Sequence, residues 1–135
     1  MNNEYDKSLA DSYDSLNDKK KYREEVEYIS GFISNPSKIL DVGCGTGTHA
    51  FMLSDLGHRC VGIDISKEMI EVANKNNKSK AEFFHVSIED FLHAQEYDLC
   101  ISLFNVINHI MAIKDLQLFF ESVYYNLKED GLFVF

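Results

Sequence analysis

Disulfide scaffolds, zinc clusters and membrane spans leave marks that this sequence lacks. Its three cysteines, Cys44, Cys60 and Cys100, are odd in number and show no C-x-x-C spacing. That excludes a disulfide framework and a zinc ribbon, and a reducing cytoplasm is the expected setting. His49, His58, His85 and His93 are scattered over separate predicted elements and offer no metal-ligand pattern. No apolar run approaches the roughly 20 residues that cross a bilayer, and the amino terminus is polar rather than a charged-then-apolar leader. Basic charge is also scarce: 13 Lys and Arg against 22 Asp and Glu leave a net charge of -9. Such a field repels phosphate backbones, so no nucleic-acid partner is expected, and a small or cationic acceptor fits better. The Lys19 to Lys21 cluster reads as a solvated helix start.

There is no internal repeat, and the single proline, Pro36, sits in the Asn35-Pro36-Ser37 break. Residues 1–36 form an amino-terminal helical segment and residues 37–135 one further unit. In the first, Tyr22, Val26, Ile29 and Ile33 recur at helical spacing, which predicts a helix over Lys21 to Ile33 packed on the body of the fold. In the second, Lys38 to Val42, Arg59 to Asp64, Ala81 to His85, Tyr97 to Ser102 and Leu132 to Phe135 read as strands alternating with helices. The expected fold is α/β, a Rossmann-like, doubly wound, mainly parallel sheet whose ligands bind beyond the carboxyl ends of the strands. Leu116, Phe119, Phe120, Val123, Tyr124 and Leu127 form the apolar stripe of a helix after the fourth strand, and Lys128-Glu129-Asp130-Gly131 reads as its closing turn.

The strongest signal is Ile39-Leu40-Asp41-Val42-Gly43-Cys44-Gly45-Thr46-Gly47-Thr48, a strand entering a loop with glycine at alternate positions. Side chains at Gly43, Gly45 and Gly47 would fill the space between the main chain and a ligand. The next helix starts near Thr48, so its amide groups and positive dipole end face the loop and suit a carboxylate. A second apolar strand, Val61-Gly62-Ile63-Asp64-Ile65-Ser66, ends in a carboxylate that neighbours the loop and can accept from both hydroxyls of a ribose. Ser66 suits a helix cap and Met69 reaches a flat ring. A ligand-free glycine turn would spend three glycines to no purpose. A dinucleotide oxidoreductase needs G-x-G-x-x-G, whereas Thr48 stands where its third glycine falls.

Asp41-Val42-Gly43-Cys44-Gly45-Thr46-Gly47 resembles the first motif of class I S-adenosylmethionine-dependent methyltransferases, and the likeness continues in order over most of the chain. It implies S-adenosyl-L-methionine as cofactor, with Asp64 as the ribose-binding acid and Ser87-Ile88-Glu89-Asp90 bracketing the adenine. Leu103-Phe104 then lies beside the transferable methyl. The family often has Asp at the position of Ser87, so here that contact is either weaker or made by the serine hydroxyl. The cofactor contacts implied are Asp41, Gly43, Cys44, Gly45, Gly47, Thr48, Asp64, Ile65, Met69, Ser87, Ile88, Leu103 and Phe104, with Tyr22 as cover.

Methyl transfer from a sulfonium is an in-line displacement, so orienting a nucleophile behind the methyl group can contribute roughly 7–11 kcal/mol without an obvious base. His109, in the segment after the fourth strand, is the best-placed titratable group for holding or deprotonating an acceptor. Tyr13-Asp14, Lys21-Tyr22-Arg23-Glu24-Glu25 and Asn108-His109 are similar to a narrower group, bacterial N-methyltransferases of amino sugars. That likeness implies cofactor covering by Tyr22 and acceptor positioning by Tyr13 and His109. Small-molecule methyltransferases acting on oxygen or carbon share parts of it. The fifth predicted strand ends at Phe135, where class I folds continue with two more strands, so the expectation is either a truncated chain or a homodimer covering that strand's edge. A truncated chain also leaves open a cofactor-binding module without turnover, and an interaction scaffold would bind no cofactor at all.

Overall fold

The computed structural model describes residues 19–103, 110 and 112–135. Helix α1 (Lys19–Ser30) leads into β1 (Lys38–Val42), α2 (Thr48–Asp55), β2 (Arg59–Asp64), α3 (Lys67–Asn76) and β3 (Glu82–His85). A 3₁₀ turn (Ile88–Asp90), β4 (Tyr97–Ile101), α4 (Ile113–Asn126) and β5 (Leu127–Val134) complete the order. The five strands lie side by side as β3-β2-β1-β4-β5, every pairing parallel. This is the expected Rossmann-like sheet, and the reversal of order between β1 and β4 puts the switch point at the end of β1.

Alternation along buried strands sends residues to two cores. Ile39, Cys60, Leu99 and Ile101 pack beneath α1, α2 and α3, against Val26, Ile29, Leu53, Ile70 and Ala73. Leu40, Val42, Ile63 and Cys100 pack on the other face against Phe119 and Val123 of α4. The predicted face of α1 is the buried one: Tyr22, Val26 and Ile29 are buried and Ile33 is partly so. Burying Val26 and Ile29 contributes about 1.5–3 kcal/mol each, enough to seat a short helix with poor intrinsic stability.

Two expectations at the carboxyl end are corrected. Helix α4 stops at Asn126, and Leu127 is already extended, with φ -79° and ψ 140°. Lys128-Glu129-Asp130-Gly131 is therefore not a helix-closing turn but a bulge within β5, where Tyr97 pairs with Leu127 and Leu99 with Leu132. Tyr124 also leaves the apolar stripe and is 81% exposed, while Asn126 is fully buried. The Asn126 amide donates to the Phe91 and Ser122 carbonyls at 2.9 and 2.8 Å and accepts from the His93 N–H at 2.8 Å. Those bonds tie the β3–β4 connection to α4, and a buried amide earns such a place only when all its groups are paired.

Gly62 in mid-strand has a packing reason. A Cβ there would stand 2.7 Å from Phe83 Cδ1 and 2.9 Å from Cys44 Sγ. The Phe83 ring is wedged edge-on against Phe51, centroids 5.4 Å apart, and cannot yield freely. Gly62→Ala is expected to destabilise the fold by about 1–3 kcal/mol, read as a lower urea midpoint with unchanged slope.

Candidate functional site

The loop between β1 and α2 is built on left-handed glycines: Gly43, Gly45 and Gly47 have φ of 72°, 57° and 88°. A Cβ on Gly45 would meet nothing within 4 Å, so this backbone faces open space, as the sequence requires for a close ligand. Gly47 differs. A Cβ there would lie 2.7 Å from Phe83 Cζ, so this glycine has a packing reason of its own. The loop is held to the sheet by the Gly43 and Cys44 N–H groups, which share the Ile63 carbonyl at 2.8 and 3.0 Å.

Asp64, at the end of β2, organises both sides of the site. Its Oδ2 accepts from the Gly45 N–H and its Oδ1 from the Ser66 N–H, each at 2.8 Å. Each carboxylate oxygen retains a second lone pair, which suits a pair of vicinal hydroxyls. Ser66 then caps α3, its hydroxyl accepting from the Met69 N–H at 3.3 Å.

Asp41 is 3% exposed, and among the described residues its Oδ2 has no hydrogen-bond partner. Burial, and secondarily the charge of Asp64, push its carboxyl up to about 7. A cation beside Asp41 would remove both penalties.

Two hollows meet at Gly43, Gly45 and Leu103. The larger, about 440 Å³, runs past Asp64, Ile65, Ser66, Met69, Ser87 and Ile88. The smaller, about 20 Å³, is lined by Tyr22, Asp41, Cys44, Thr46, Thr48 and His49. Most of the sequence-derived cofactor contacts thus converge at the carboxyl ends of the strands. Tyr13, Phe104 and His109 lie outside the described residues. Ser87 reaches the cleft, but its hydroxyl donates to Asp90 Oδ2 at 3.2 Å, while the neighbouring Glu89 also lines the cleft. Glu89, Phe119, Thr46 and His49 are lining residues that the sequence reading did not single out. Phe119 was legible only as part of a core stripe, and Glu89 lay within the adenine loop already quoted.

The largest hollow among the described residues, about 1,090 Å³, opens at the opposite end of the sheet, around Lys38, Arg59, Phe84 and Tyr97. It is remote from the glycine loop, and its rim mixes both charges. The cysteines are chemically quiet: burial raises the Cys44 thiol well above its ordinary value and pushes Cys60 and Cys100 up to about 12. His58 is structural, its Nδ1 accepting the Ser37 N–H at 3.1 Å.

Residues 39–131 match the protein family described as Methyltransferase domain. The chain belongs to this family. Its glycine-loop motif and parallel sheet resemble those of class I S-adenosylmethionine-dependent methyltransferases. An uncharacterized protein of Methanocaldococcus jannaschii is 38% identical over 98% of this chain and 49% of its own length. The dTDP-3-amino-3,6-dideoxy-alpha-D-glucopyranose N,N-dimethyltransferase of Streptomyces fradiae is 26% identical over 97% of this chain and 53% of its own. A ubiquinone biosynthesis O-methyltransferase of Pelagibacter ubique is 33% identical over 70% and 39%. The crystal structure of a TehB-like S-adenosylmethionine-dependent methyltransferase from Corynebacterium glutamicum superposes with a TM-score of 0.84 at 23% identity, over 98% of this chain and 73% of that one. The methyltransferase chain therefore spans about half the length of the first two relatives. Among its described residues no helix is long and apolar enough to cross a membrane.

The Asp41 carboxyl gives a pH test of the unliganded domain. Its folded value, about 7, lies above the ordinary 3.8. Its contribution to stability is therefore full below about pH 3.8 and is lost as pH rises through about 7. Relative to wild type, Asp41→Asn should gain stability steadily from pH 4.5 to pH 7 and then hold level, as urea titrations at each pH would read.

Proposed function

We propose that the chain binds S-adenosylmethionine along the two joined hollows and directs its methyl group to a small-molecule acceptor, an amine of the amino-sugar kind. The observation that carries the reading is Asp64, fixed by two backbone N–H groups at the switch point of the sheet with lone pairs left for a ribose diol. The unpartnered Asp41 oxygen suits the α-ammonium group, and the start of α2 suits the α-carboxylate. Met69, Ile88 and Glu89 line the part of the cleft that suits the adenine. Bound there, the cofactor supplies a methyl group activated on a sulfonium.

The chain's own task is orientation. Asp64 and the glycine loop hold the nucleoside and amino-acid ends on either side of Leu103, which borders both hollows. Fixing the donor in this way converts a bimolecular displacement into one between oriented partners. His109 and Tyr13 take the acceptor-positioning roles that the amino-sugar resemblance implies. The Streptomyces fradiae relative supports an amine acceptor, and the Pelagibacter ubique relative supports a second reading, transfer to oxygen. A binding module that does not turn over is the third outcome.

Calorimetry with S-adenosylmethionine and with S-adenosylhomocysteine tests the cofactor. Asp64→Asn, which keeps one acceptor oxygen, should weaken both by about tenfold or more, since hydrogen bonds to charged groups contribute about 1.5–3 kcal/mol. Below pH 7 the free Asp41 carboxyl holds a proton that an ammonium must displace. Affinity should then fall as pH drops from 7.5 to 5.5, by at most about tenfold per unit, and Asp41→Asn should flatten that profile. No heat with either ligand sinks the proposal. Methyl release to an amino-sugar nucleotide, to a phenol or to neither separates the three acceptor readings.

A further inference from the structure

Helix α1 meets the start of α2, just after the glycine loop, through a partly buried polar contact. Glu25 Oε2 lies 2.8 Å from His49 Nε2 across the junction of α1 and α2. A carboxylate only accepts, so Nε2 carries the proton and donates. The His49 side chain is 4% exposed and that of Glu25 28%. Burial lowers the imidazole's proton affinity, and Glu25 pulls it partly back. The histidine therefore sits as a neutral ring held by a carboxylate rather than as a free cation.

The ring has a second contact in the same direction. Tyr22, one turn before Glu25 on α1, packs edge-on against His49 with centroids 4.8 Å apart. Tyr22 and His49 both line the small recess that also holds Asp41, Gly43 and Thr48. The loop thus presents His49 from the second position of α2, and α1 presents Tyr22 and Glu25 as a pair that grips it. Apolar packing by Val26 and Ile29 holds α1 on the fold but allows it to slide or rotate. A directional bond does not, because a shift of about an ångström carries this 2.8 Å contact beyond hydrogen-bonding range.

We propose that the Glu25–His49 hydrogen bond is a positioning device for the methyl donor: it sets the pitch of α1 so that Tyr22 closes the amino-acid end of the cofactor recess. The ligand class is the zwitterionic amino-acid tail of a sulfonium nucleoside. The inference rests on the cofactor reading above and adds two residues to it, His49, which lines the recess, and Glu25, which stands behind it. Affinity is gained because Tyr22 is held in place before binding, so less freedom is lost on complex formation.

The test reads cofactor affinity by calorimetry and backbone protection of α1 by hydrogen exchange, with S-adenosylhomocysteine as probe on the whole chain. Glu25→Ala places the best helix former at a half-buried position of α1, so helix formation itself is not lost. It should weaken binding about fivefold or more, and Glu25→Gln, which keeps an acceptor oxygen, should recover most of that loss. In a Tyr22→Ala background the same Glu25→Ala change should cost less than about twofold, because the ring that it positions is already gone. Bound ligand should protect α1 in wild type more than in Glu25→Ala. The proposal is overturned by Glu25→Ala affinity within twofold of wild type, by equal losses with and without the Tyr22 ring, or by Gln failing to rescue. Wild-type binding that Asp64→Asn weakens, with no effect of Glu25→Ala, removes only the positioning role. Absence of wild-type binding removes the cofactor reading and this inference together.

Discussion

A carboxylate at the end of a strand can do one of two things: face water, or become the acceptor around which neighbouring backbone is organised. Asp64 does the second. Its two oxygens take the Gly45 and Ser66 N–H groups, so a single side chain joins the loop after β1 to the start of α3. The Ile63 carbonyl holds the start of the glycine loop, and Asp64 fixes it further on at Gly45, where residues in the left-handed region bring flexibility as readily as shape. The bonds come from backbone groups that any fold must satisfy, so the loop geometry and the binding geometry are set by the same interaction. The remaining lone pairs point to the ligand side because the backbone donors occupy the others.

The sequence was most readable where a residue type has one reason to be present. Alternating apolar strands, the glycine loop and the acid after Ile63 each answer to a single requirement, and the five-stranded parallel sheet follows them closely. It was least readable where two requirements compete. Gly47 stands in a ligand-binding pattern, yet its Cβ space is taken by Phe83 of β3, two strands further along the sequence and adjacent only in the fold. Gly131 looks like a helix stop, yet pairing with β4 ends α4 earlier and turns the same four residues into a bulge. Asn126 and Tyr124 exchange the roles their polarity suggests, because the β3–β4 connection offers the amide two partners beside the Ser122 carbonyl of its own helix. Long-range contacts decide all of these, and no local window contains them.

The same division holds for the site. The cofactor residues come from the ends of strands and from one loop, where topology alone puts them together. Tyr22 belongs to a helix that precedes the sheet in sequence, and only its packing through Val26 and Ile29, with the His49 contact, brings it over the recess. His49 itself reads as one more histidine in a helix. Its meaning appears once Glu25 stands 2.8 Å away.

Charge separates this site from the other nucleotide sites that the same sheet can build. A dinucleotide brings a pyrophosphate to the glycine loop, and the usual solution offers it backbone amides with the acid kept at a distance for the ribose. Here Asp41 lies in the strand just before the loop, buried, and the charge of Asp64 adds to its burial in resisting ionisation. Two carboxylates around one loop would repel a pyrophosphate, and at neutral pH they raise the free energy of the empty protein. A ligand carrying an ammonium and a sulfonium reverses both signs. In the proposed complex it would ionise Asp41 by pairing with it and relieve the repulsion from Asp64, so the strain of the empty site would become selectivity for a cationic ligand. On that reading the glycines make room for a nucleoside, and the acid two residues ahead of them selects its charge.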